Sequence, residues 1–250
     1  MSSFYRTAVR GVKAAVLLTV CCLVLPSAKL NTTSYLHGID VSRYQQHVNW
    51  EHVKDADIAF AFMKATEGDF LKDPFFAKNW ESSRKHGIKR GAYHFFLPWV
   101  SAESQIAHFK SVVDLQPGDL APVLDVETFA HDVPDALARQ RIKAWLVGIE
   151  AHYGVKPIIY TYQGFYDKKL RGHFKGYHFW IARYKNEEPN LHPTDKMAFW
   201  QYSEKGTVKG IALPVDVNWF YGDINDLNSL CLQKKPASPS DEVIAQKETL

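Results

Sequence analysis

Two acidic residues separated by a single apolar residue, Asp125 and Glu127, follow the apolar run 121–124. In a β-strand successive side chains alternate between faces, so these two carboxylates point the same way, about 6–7 Å apart along the backbone. Carboxylates held that close between apolar walls have pKa values that are pushed apart, so one can keep its proton while the other stays charged. Glycoside hydrolysis uses such a pair. An isolated Asp-x-Glu also suits a solvated strand end, so the rest of the sequence must decide.

Eight short runs rich in β-branched and aromatic residues predict strands between residues 36 and 222. Several runs are almost continuously apolar, as in strands that are buried on both faces. Helical spacing of apolar residues occurs at Pro74–His86, Ala102–Val113 and Pro134–Tyr153, and repeated strand–helix units indicate a parallel sheet. The predicted strands are Leu36–Ser42, Ile58–Glu67, Lys89–Phe96, Ala121–Glu127, Lys156–Tyr162, His178–Tyr184, Met197–Ser203 and Asp216–Gly222.

The last two gaps between predicted strands differ from the earlier ones. Residues 185–196 contain two prolines, and residues 204–215 contain two glycines and a proline, so neither gap is expected to hold a normal helix. Eight strands in about 190 residues fall just below the usual size of an eight-stranded α/β barrel, and missing helices explain the difference. The sequence therefore predicts an α/β fold, an irregular TIM-like barrel with five β/α units followed by three β-strands.

Acidic residues occur at several of the predicted strand ends, where the reactive residues of such barrels lie. Asp125 and Glu127 are at the C-terminal end of the fourth strand, and Asp40 is late in the first. Asp216 opens the eighth run, or ends the loop before it, and could approach Asp40 because the first and last strands of a closed barrel are neighbours. We expect four acids at one mouth, although Asp40 or Asp216 alone would also suit a helix cap or a turn.

Aromatic residues lie near the same strand ends. Sugar rings stack their C–H faces on such side chains, while tyrosine hydroxyls and a glutamine supply hydrogen bonds in a largely apolar cleft. Inward-facing aromatic residues also simply fill barrels, so each of them has a structural explanation as well. The candidate substrate-binding residues are Tyr93, Phe95, Tyr160, Tyr162, Trp180, Tyr184 and Gln201.

Other charged residues carry weaker hypotheses. Lys64 and Glu67 close the second predicted strand. Either Lys64 orients Asp40 or Asp125 electrostatically, or Lys64 and Glu67 form a surface ion pair of small energetic value, and both are left out of the candidate set. Histidines such as His37 and His94 match no metal-ligand spacing. We therefore expect neither a metal nor another cofactor.

The first 28 residues are typical of an export signal, because three basic residues precede the apolar stretch Ala14–Leu25 and small residues follow it. The apolar stretch of about 14 residues is shorter than the about 20 that a membrane-spanning helix needs, which favours cleavage over an uncleaved anchor. The predicted domains are a signal peptide at 1–28, a barrel domain at 36–232 and a flexible Pro/Ser-containing tail at 233–250. The protein is then expected in the periplasm or outside the cell.

Charge and cysteine content exclude two classes of function. Without the basic leader the chain carries 27 basic and 27 acidic residues, so no basic field argues for a nucleic-acid partner. Cys21 and Cys22 lie in the leader, and Cys231 alone remains. An intrachain disulfide and a cysteine-based metal site are therefore excluded in the mature chain.

Seven blocks of the sequence, taken together, resemble glycoside hydrolase family 25, the lysozymes often called the Chalaropsis type. They occur in the family's order and cover essentially residues 36–222. The resemblance implies a barrel of five β/α units and three further strands, and an activity that cuts the β-1,4 bond after N-acetylmuramic acid in peptidoglycan. The blocks are Gly38–Ser42, Lys64–Gly68, Gly91–Phe95, Pro122–Glu127, Trp180–Tyr184, Trp200–Ser203 and Val215–Asn218.

Carried over by position, the resemblance implies that Glu127 is the general acid, that Asp125 is its charged partner, and that Asp40 and Asp216 are the remaining acids of the cleft. The implied ligand is a peptidoglycan glycan strand, bound by a monomer without an obligate protein partner. Backbone spacing cannot separate the about 5–5.5 Å of retaining pairs from the about 6.5–9.5 Å of inverting ones. The resemblance favours a third route, in which the substrate's own acetamide attacks and Asp125 orients it.

Two other functions remain open at this point. A chitinase-like glycosidase also ends a barrel strand with Asp-x-Glu, but that motif requires further aspartates where Leu120 and Val123 stand here. A non-catalytic glycan-binding barrel would keep the same fold and cleft. The presence of all four acids argues for catalysis, although acids alone do not prove turnover.

Overall fold

The computed structural model describes residues 35–129 and 132–234. The predicted signal peptide at 1–28 and nearly all of the predicted tail at 233–250 lie outside these ranges. None of the helices in the described ranges combines the length and the apolar character that crossing a membrane requires.

The described part of the chain forms one sheet of nine strands. They are β1 (Tyr35–Val41), β2 (Phe60–Glu67), β3 (Leu71–Lys72), β4 (Lys89–Phe95), β5 (Val123–Asp125), β6 (Ile158–Tyr162), β7 (His178–Ala182), β8 (Lys196–Gly206) and β9 (Val215–Tyr221). Eight of them follow one another in the order β1-β9-β8-β7-β6-β5-β4-β2, and the pairing of β1 with β2 closes the barrel. The two-residue β3 pairs only with the end of β2.

Helices follow each of the first five barrel strands. They are α1 (Trp50–Lys54), α2 (Phe76–Lys85), α3 (Ala102–Val112), α4 (Asp135–Tyr153) and the short α5 (Gln163–Phe165), which continues into a π-helical turn at Tyr166–Leu170; α6 (Ile224–Ser229) comes after β9. The segments between β7 and β8 and between β8 and β9 hold no helix. The predicted α/β, TIM-like barrel with five β/α units and three further strands is confirmed.

The direction of β9 departs from the predicted parallel sheet. It runs antiparallel to both β1 and β8, whereas the other barrel strands pair in parallel. A parallel connection needs a crossover of about a dozen residues or more. Residues 207–214 are too few for one, so the chain turns back as a hairpin. The start of β9 therefore lies at the same mouth as the C-terminal ends of the other strands.

Two strand boundaries also differ from the prediction. The strand predicted at Ala121–Glu127 is reduced to β5, because only three positions pair with β4 and β6. The strand predicted at Met197–Ser203 is longer and forms β8 at Lys196–Gly206. Glu127 consequently lies two residues beyond the strand that carries Asp125.

Aromatic side chains fill the inside of the barrel below its mouth. The rings of Phe62 and Trp180 stack with their centroids 4.7 Å apart, and Phe199 packs edge-on against Phe62 at 5.2 Å. Gly38 leaves room for the ring of Phe60 and Gly91 for that of Phe62, because a Cβ at either position would clash with the ring. The packed interior closes the barrel, so the mouth is a cleft with a floor rather than a channel.

Candidate active site

The barrel brings the four predicted acids to one cleft. Asp40 lies near the end of β1 and pairs directly with Asp216 near the start of β9, which the reversed direction of β9 makes possible. Asp125 ends β5, and Glu127 follows it. The cleft has a volume of about 210 Å³, and its lining residues are Asp40, Val41, Ser42, Tyr44, Gln45, Lys64, Tyr93, Phe95, Asp125, Glu127, Tyr160, Trp180 and Asp216.

The seven candidate substrate-binding residues divide into three groups. Tyr184 and Gln201 do not line the cleft but are hydrogen-bonded to each other directly beside it. Tyr162 lies apart from the cleft, 44% exposed, with its ring packed against Phe165. The four candidates that line the cleft are Tyr93, Phe95, Tyr160 and Trp180.

Two buried amide side chains hold the carboxylate of Asp40. Gln201 donates from Nε2 to Oδ2 of Asp40 at 2.9 Å, and Asn218 donates from Nδ2 to the same oxygen at 2.8 Å. Burial raises the pKa of Asp40 above its usual range, and these two hydrogen bonds oppose that rise. The arrangement fixes the position of the carboxylate and favours its charged form more than burial alone would.

Hydrogen bonds to the oxygen atoms of both amides fix their orientation. The Oε1 atom of Gln201 accepts hydrogen bonds from the hydroxyls of Tyr160 at 2.9 Å and Tyr184 at 2.7 Å. The Oδ1 atom of Asn218 accepts one from Trp180 Nε1 at 2.8 Å. Because these partners can donate to the amide oxygens, the amide nitrogens face Asp40. Tyr184 and Gln201 thus contact the site through hydrogen bonds to the residues that form it.

The second pair of acids has a different environment. Asp125 is 7% exposed, and none of the described residues donates a hydrogen bond to its buried Oδ1 atom. Burial, together with the negative charge of Glu127, raises the pKa of Asp125 well above its usual range, while Lys64 opposes the rise. Burial also raises the pKa of Glu127. The pair therefore holds a proton up to a higher pH than isolated carboxyl groups would.

Asp216 adds a further proton-holding group. Burial, followed by the negative charge of Asp40, raises the pKa of Asp216 to about 8. Four carboxyls in one small, partly dry cleft cannot all be charged at neutral pH. The cleft can therefore supply a proton to a bound molecule and still present negative charge to it.

Polar residues that the candidate set did not include also belong to the site: Ser42, Tyr44, Gln45 and Lys64 line the cleft, and Asn218 lies behind it. Lys64 lines the cleft, lies 4.8 Å above the ring of Phe95, and makes a 2.7 Å ion pair with Glu67. Asn218 holds Asp40 as described above. The signal for Asn218 was present in the sequence, because it lies two residues after Asp216 and so shares its face of the strand.

Comparisons with known proteins agree with this geometry. The sequence profile described as "Glycosyl hydrolases family 25" matches residues 39–211. The chain is 45% identical over 201 residues to "Uncharacterized protein YegX" of Escherichia coli K12, covering 78% of this chain and 72% of the relative. It is 35% identical over 217 residues to lysozyme M1 of Streptomyces globisporus, covering 79% and 72%.

A solved structure shows the same fold. The family 25 glycosyl hydrolase from Bacillus anthracis superposes with a TM-score of 0.74 at 30% identity, covering 81% of this chain and 95% of that one. The resemblance inferred from the seven sequence blocks is confirmed. The chain belongs to glycosyl hydrolases family 25, and it is a glycoside hydrolase of the lysozyme type.

Proposed function

We propose that this protein hydrolyses peptidoglycan, cutting the β-1,4 bond between N-acetylmuramic acid and N-acetylglucosamine. The observation that carries the proposal is the convergence of Asp40, Asp125, Glu127 and Asp216 in one cleft with aromatic walls. Relatives named as a lysozyme and as an autolytic lysozyme support the same substrate. Neither a metal nor another cofactor is needed for this chemistry.

Glu127 is the general acid in this proposal. A general acid must keep its proton at the working pH and lie where it can reach the departing oxygen. Burial raises the pKa of Glu127, and its carboxyl lines the cleft beside Asp125. It donates its proton to the glycosidic oxygen as the bond between that oxygen and the anomeric carbon breaks.

Asp125 orients the substrate. Asp125 lines the cleft, so its carboxyl group can accept a hydrogen bond from an acetamide N–H of the bound sugar. That hydrogen bond would lower the pKa of Asp125 and leave the shared proton on Glu127. Binding of the correct sugar thereby sets the protonation state that the reaction requires.

The acetamide carbonyl oxygen then attacks the anomeric carbon and forms a cyclic intermediate, while the leaving sugar takes the proton from Glu127. Charged Asp125 stabilises the positive charge that develops on the acetamide nitrogen. Water next adds to the anomeric carbon and reopens the ring, and the carboxylate of Glu127 accepts the proton that water loses. Glu127 is thus restored, and the configuration at the anomeric carbon is retained.

Asp40 and Asp216 form the other wall. Asp40, fixed by its two amide donors, presents negative charge to the positively charged transition state. Asp216, which holds a proton, donates a hydrogen bond to Asp40 and so helps to keep that neighbour charged. Tyr93 and Phe95 supply apolar faces for the sugar rings.

Peptidoglycan lies outside the cytoplasm, and the leader predicted at 1–28 supports export to that compartment. We propose an exported enzyme, periplasmic or secreted, that acts as a monomer on glycan strands.

The experiment is a comparison of the protein beginning at residue 29 with its Glu127→Gln variant on a peptidoglycan suspension. The parent should clear the suspension and create new reducing ends on muramic acid, identified by mass spectrometry. The variant should still bind but lose about 10²-fold or more in rate, the usual scale for a missing general acid. Glu103→Gln, on the exposed surface of α3, is the matched control and should keep the parent rate.

Equal rates for Glu127→Gln and the parent would reject the assigned role. Hydrolysis of chitin oligomers without action on peptidoglycan would instead favour the chitinase-like alternative. Binding of glycan strands without any hydrolysis would favour a non-catalytic barrel.

A further inference from the structure

The outer wall of the barrel is unusual beside its last strands. Helices normally cover the outer face of every strand in an α/β barrel, but the segments before and after β8 hold none. Gln201 and Asn218 point inward to Asp40, so Trp200 and Trp219, which directly precede and follow them, lie on the outer face. Aromatic side chains therefore take the place that helices would occupy.

These aromatic residues form a compact cluster. The rings of Trp200 and Trp219 meet edge to face with centroids 5.4 Å apart, and Tyr202 lies 4.7 Å from Trp219. Trp200 is buried and is fixed by a 2.9 Å hydrogen bond from its Nε1 to the carbonyl of Arg183. Trp219 and Tyr202 are only partly buried, so their rings are accessible from outside.

A groove of about 500 Å³ runs over this cluster, and Tyr184 lies at one side of it. We call it the outer groove. Its polar rim includes Lys185, Asn186, Glu188 and Ser203. One positive charge, one negative charge, an amide and a hydroxyl around aromatic rings suit a ligand that is uncharged, rich in hydroxyl and amide groups, and apolar on its ring faces. An N-acetylated sugar has that chemistry.

The outer groove is linked to the catalytic cleft by hydrogen-bonded side chains. Tyr184, 48% exposed, belongs to the outer groove and donates its hydroxyl proton to Gln201 Oε1. The same oxygen accepts the hydroxyl of Tyr160, which lines the cleft. A glycan strand that leaves the cleft towards Tyr184 therefore meets the outer groove.

We propose that the outer groove binds further N-acetylated sugar residues of the same glycan strand that occupies the cleft. This inference rests on the proposed function and extends it from the cut bond to the length of strand that the enzyme recognises. Once the cleft is occupied, contact with the outer groove becomes intramolecular, so a long strand binds more tightly than a short one. The outer groove thus gives the enzyme a preference for polymeric substrate.

The test uses binding, so that it does not depend on turnover. Trp219→Ala and Tyr202→Ala are each made in the Glu127→Gln background. Binding is measured by calorimetry with peptide-free glycan strands of many sugars and with a tetrasaccharide of the same repeat. Both variants should bind the long strands about fivefold to tenfold more weakly, and the tetrasaccharide within about twofold of the background protein.

Trp80→Ala is the matched control. Trp80 is also a partly buried tryptophan in a surface depression, stacked on Phe76 at 5.2 Å and far along the chain from the outer groove. Its loss should leave the affinity for long strands unchanged. Circular dichroism and thermal unfolding identify any variant that has lost its fold, and the Tyr202→Ala result decides the matter if Trp219→Ala does not fold.

Equal affinities of the Tyr202→Ala and Trp80→Ala proteins for long strands would overturn the proposal, as would an equal loss for long strands and tetrasaccharide. The two proposals fail separately. If the parent enzyme cuts peptidoglycan but the variants bind long strands normally, the outer groove is rejected alone. If the parent cuts nothing but the variants still lose affinity for long strands only, the catalytic proposal is rejected and the outer groove stands.

Discussion

The two walls of the cleft raise the pKa values of two equally buried carboxyl groups to different degrees. Asp40 and Asp125 are both 7% exposed. On the wall formed by β1 and β9, Asp40 receives two amide hydrogen bonds that oppose the effect of burial on its pKa. On the wall formed by β5, Asp125 Oδ1 receives none from the described residues, and its pKa is raised well above the usual range.

The difference shows that hydrogen bonding, rather than burial, distinguishes the two carboxylates. A carboxylate that accepts hydrogen bonds from rigid donors is held ready in its charged form. A carboxyl group that lacks such donors keeps its proton until another group donates a hydrogen bond to it. In the proposed function the β1/β9 wall is complete before the substrate arrives, whereas the β5 wall is completed by the acetamide of the substrate.

The Asp125→Asn variant tests the difference between the two walls most severely. An amide cannot carry the negative charge that stabilises the acetamide nitrogen, so kcat should fall by about 10²-fold. The melting temperature should stay level or rise, since the variant removes a carboxyl whose charged form is disfavoured in the fold. Hydrolysis of peptidoglycan and thermal unfolding at pH 7 measure both effects.

Asp55→Asn is the control for this change, because Asp55 is 60% exposed and lies beyond α1. It should leave rate and stability unchanged. An Asp125→Asn enzyme with the parent's rate would show that the unpaired oxygen has no part in the reaction.

The β1/β9 wall can be broken by Gln201→Met, which keeps much of the side-chain volume but removes the amide. Asp40 loses a donor, and Tyr160 and Tyr184 lose their acceptor. Leaving buried polar groups unpaired should lower the free energy of unfolding by about 2 kcal/mol. Because the pKa of Asp40 should rise further, the pH–rate profile should also shift to higher pH.

Gln163→Met distinguishes the structural part of that effect from the electrostatic part. Gln163 is a buried glutamine that bonds Asp167 and both backbone groups of Asn190, outside the cleft. Its replacement should cost comparable stability but leave the pH–rate profile in place. A Gln201→Met profile that coincides with the parent's would mean that the amide does not control Asp40.

The barrel could be predicted from the sequence because the features that determine it lie within short segments of the chain. Prolines and glycines in 185–196 and 204–215 already excluded helices there, and the structure has none. The direction of β9 was also implicit in the short connection 207–214, but the prediction of a uniformly parallel sheet overlooked that constraint.

The site could be predicted less well, because the hydrogen-bond partners of its side chains come from distant parts of the chain. Strand alternation placed Tyr160 and Tyr162 on one face, but Tyr162 is the residue at which β6 gives way to α5, and it lies outside the cleft. The hydrogen bonds from Gln201 and Asn218 to Asp40 span 161 and 178 residues of chain. No local pattern in the sequence contains such a contact.

The smallest expected effect concerns Asp216, the proton-holding member of the otherwise complete wall. Its pKa is about 8 in the fold against an ordinary value of 3.8, because burial and the charge of Asp40 favour the protonated form. Between these values the folded protein binds a proton that the unfolded chain lacks, so the resulting stability is full below about pH 4 and is lost as pH rises towards 8. Asp216→Asn removes this dependence.

The variant should therefore lose less stability than the parent between pH 4 and pH 8, and at pH 8 it should be more stable by about 1 kcal/mol, a discounted figure because interacting carboxyls share the shift. Asp223→Asn is the control of opposite sign. Backbone hydrogen bonds lower the pKa of Asp223, so its contribution changes only in more acidic solution. Parallel stability curves for the parent and Asp216→Asn would show that Asp216 is charged throughout, and the β1/β9 wall would then carry two negative charges rather than one charge and one proton.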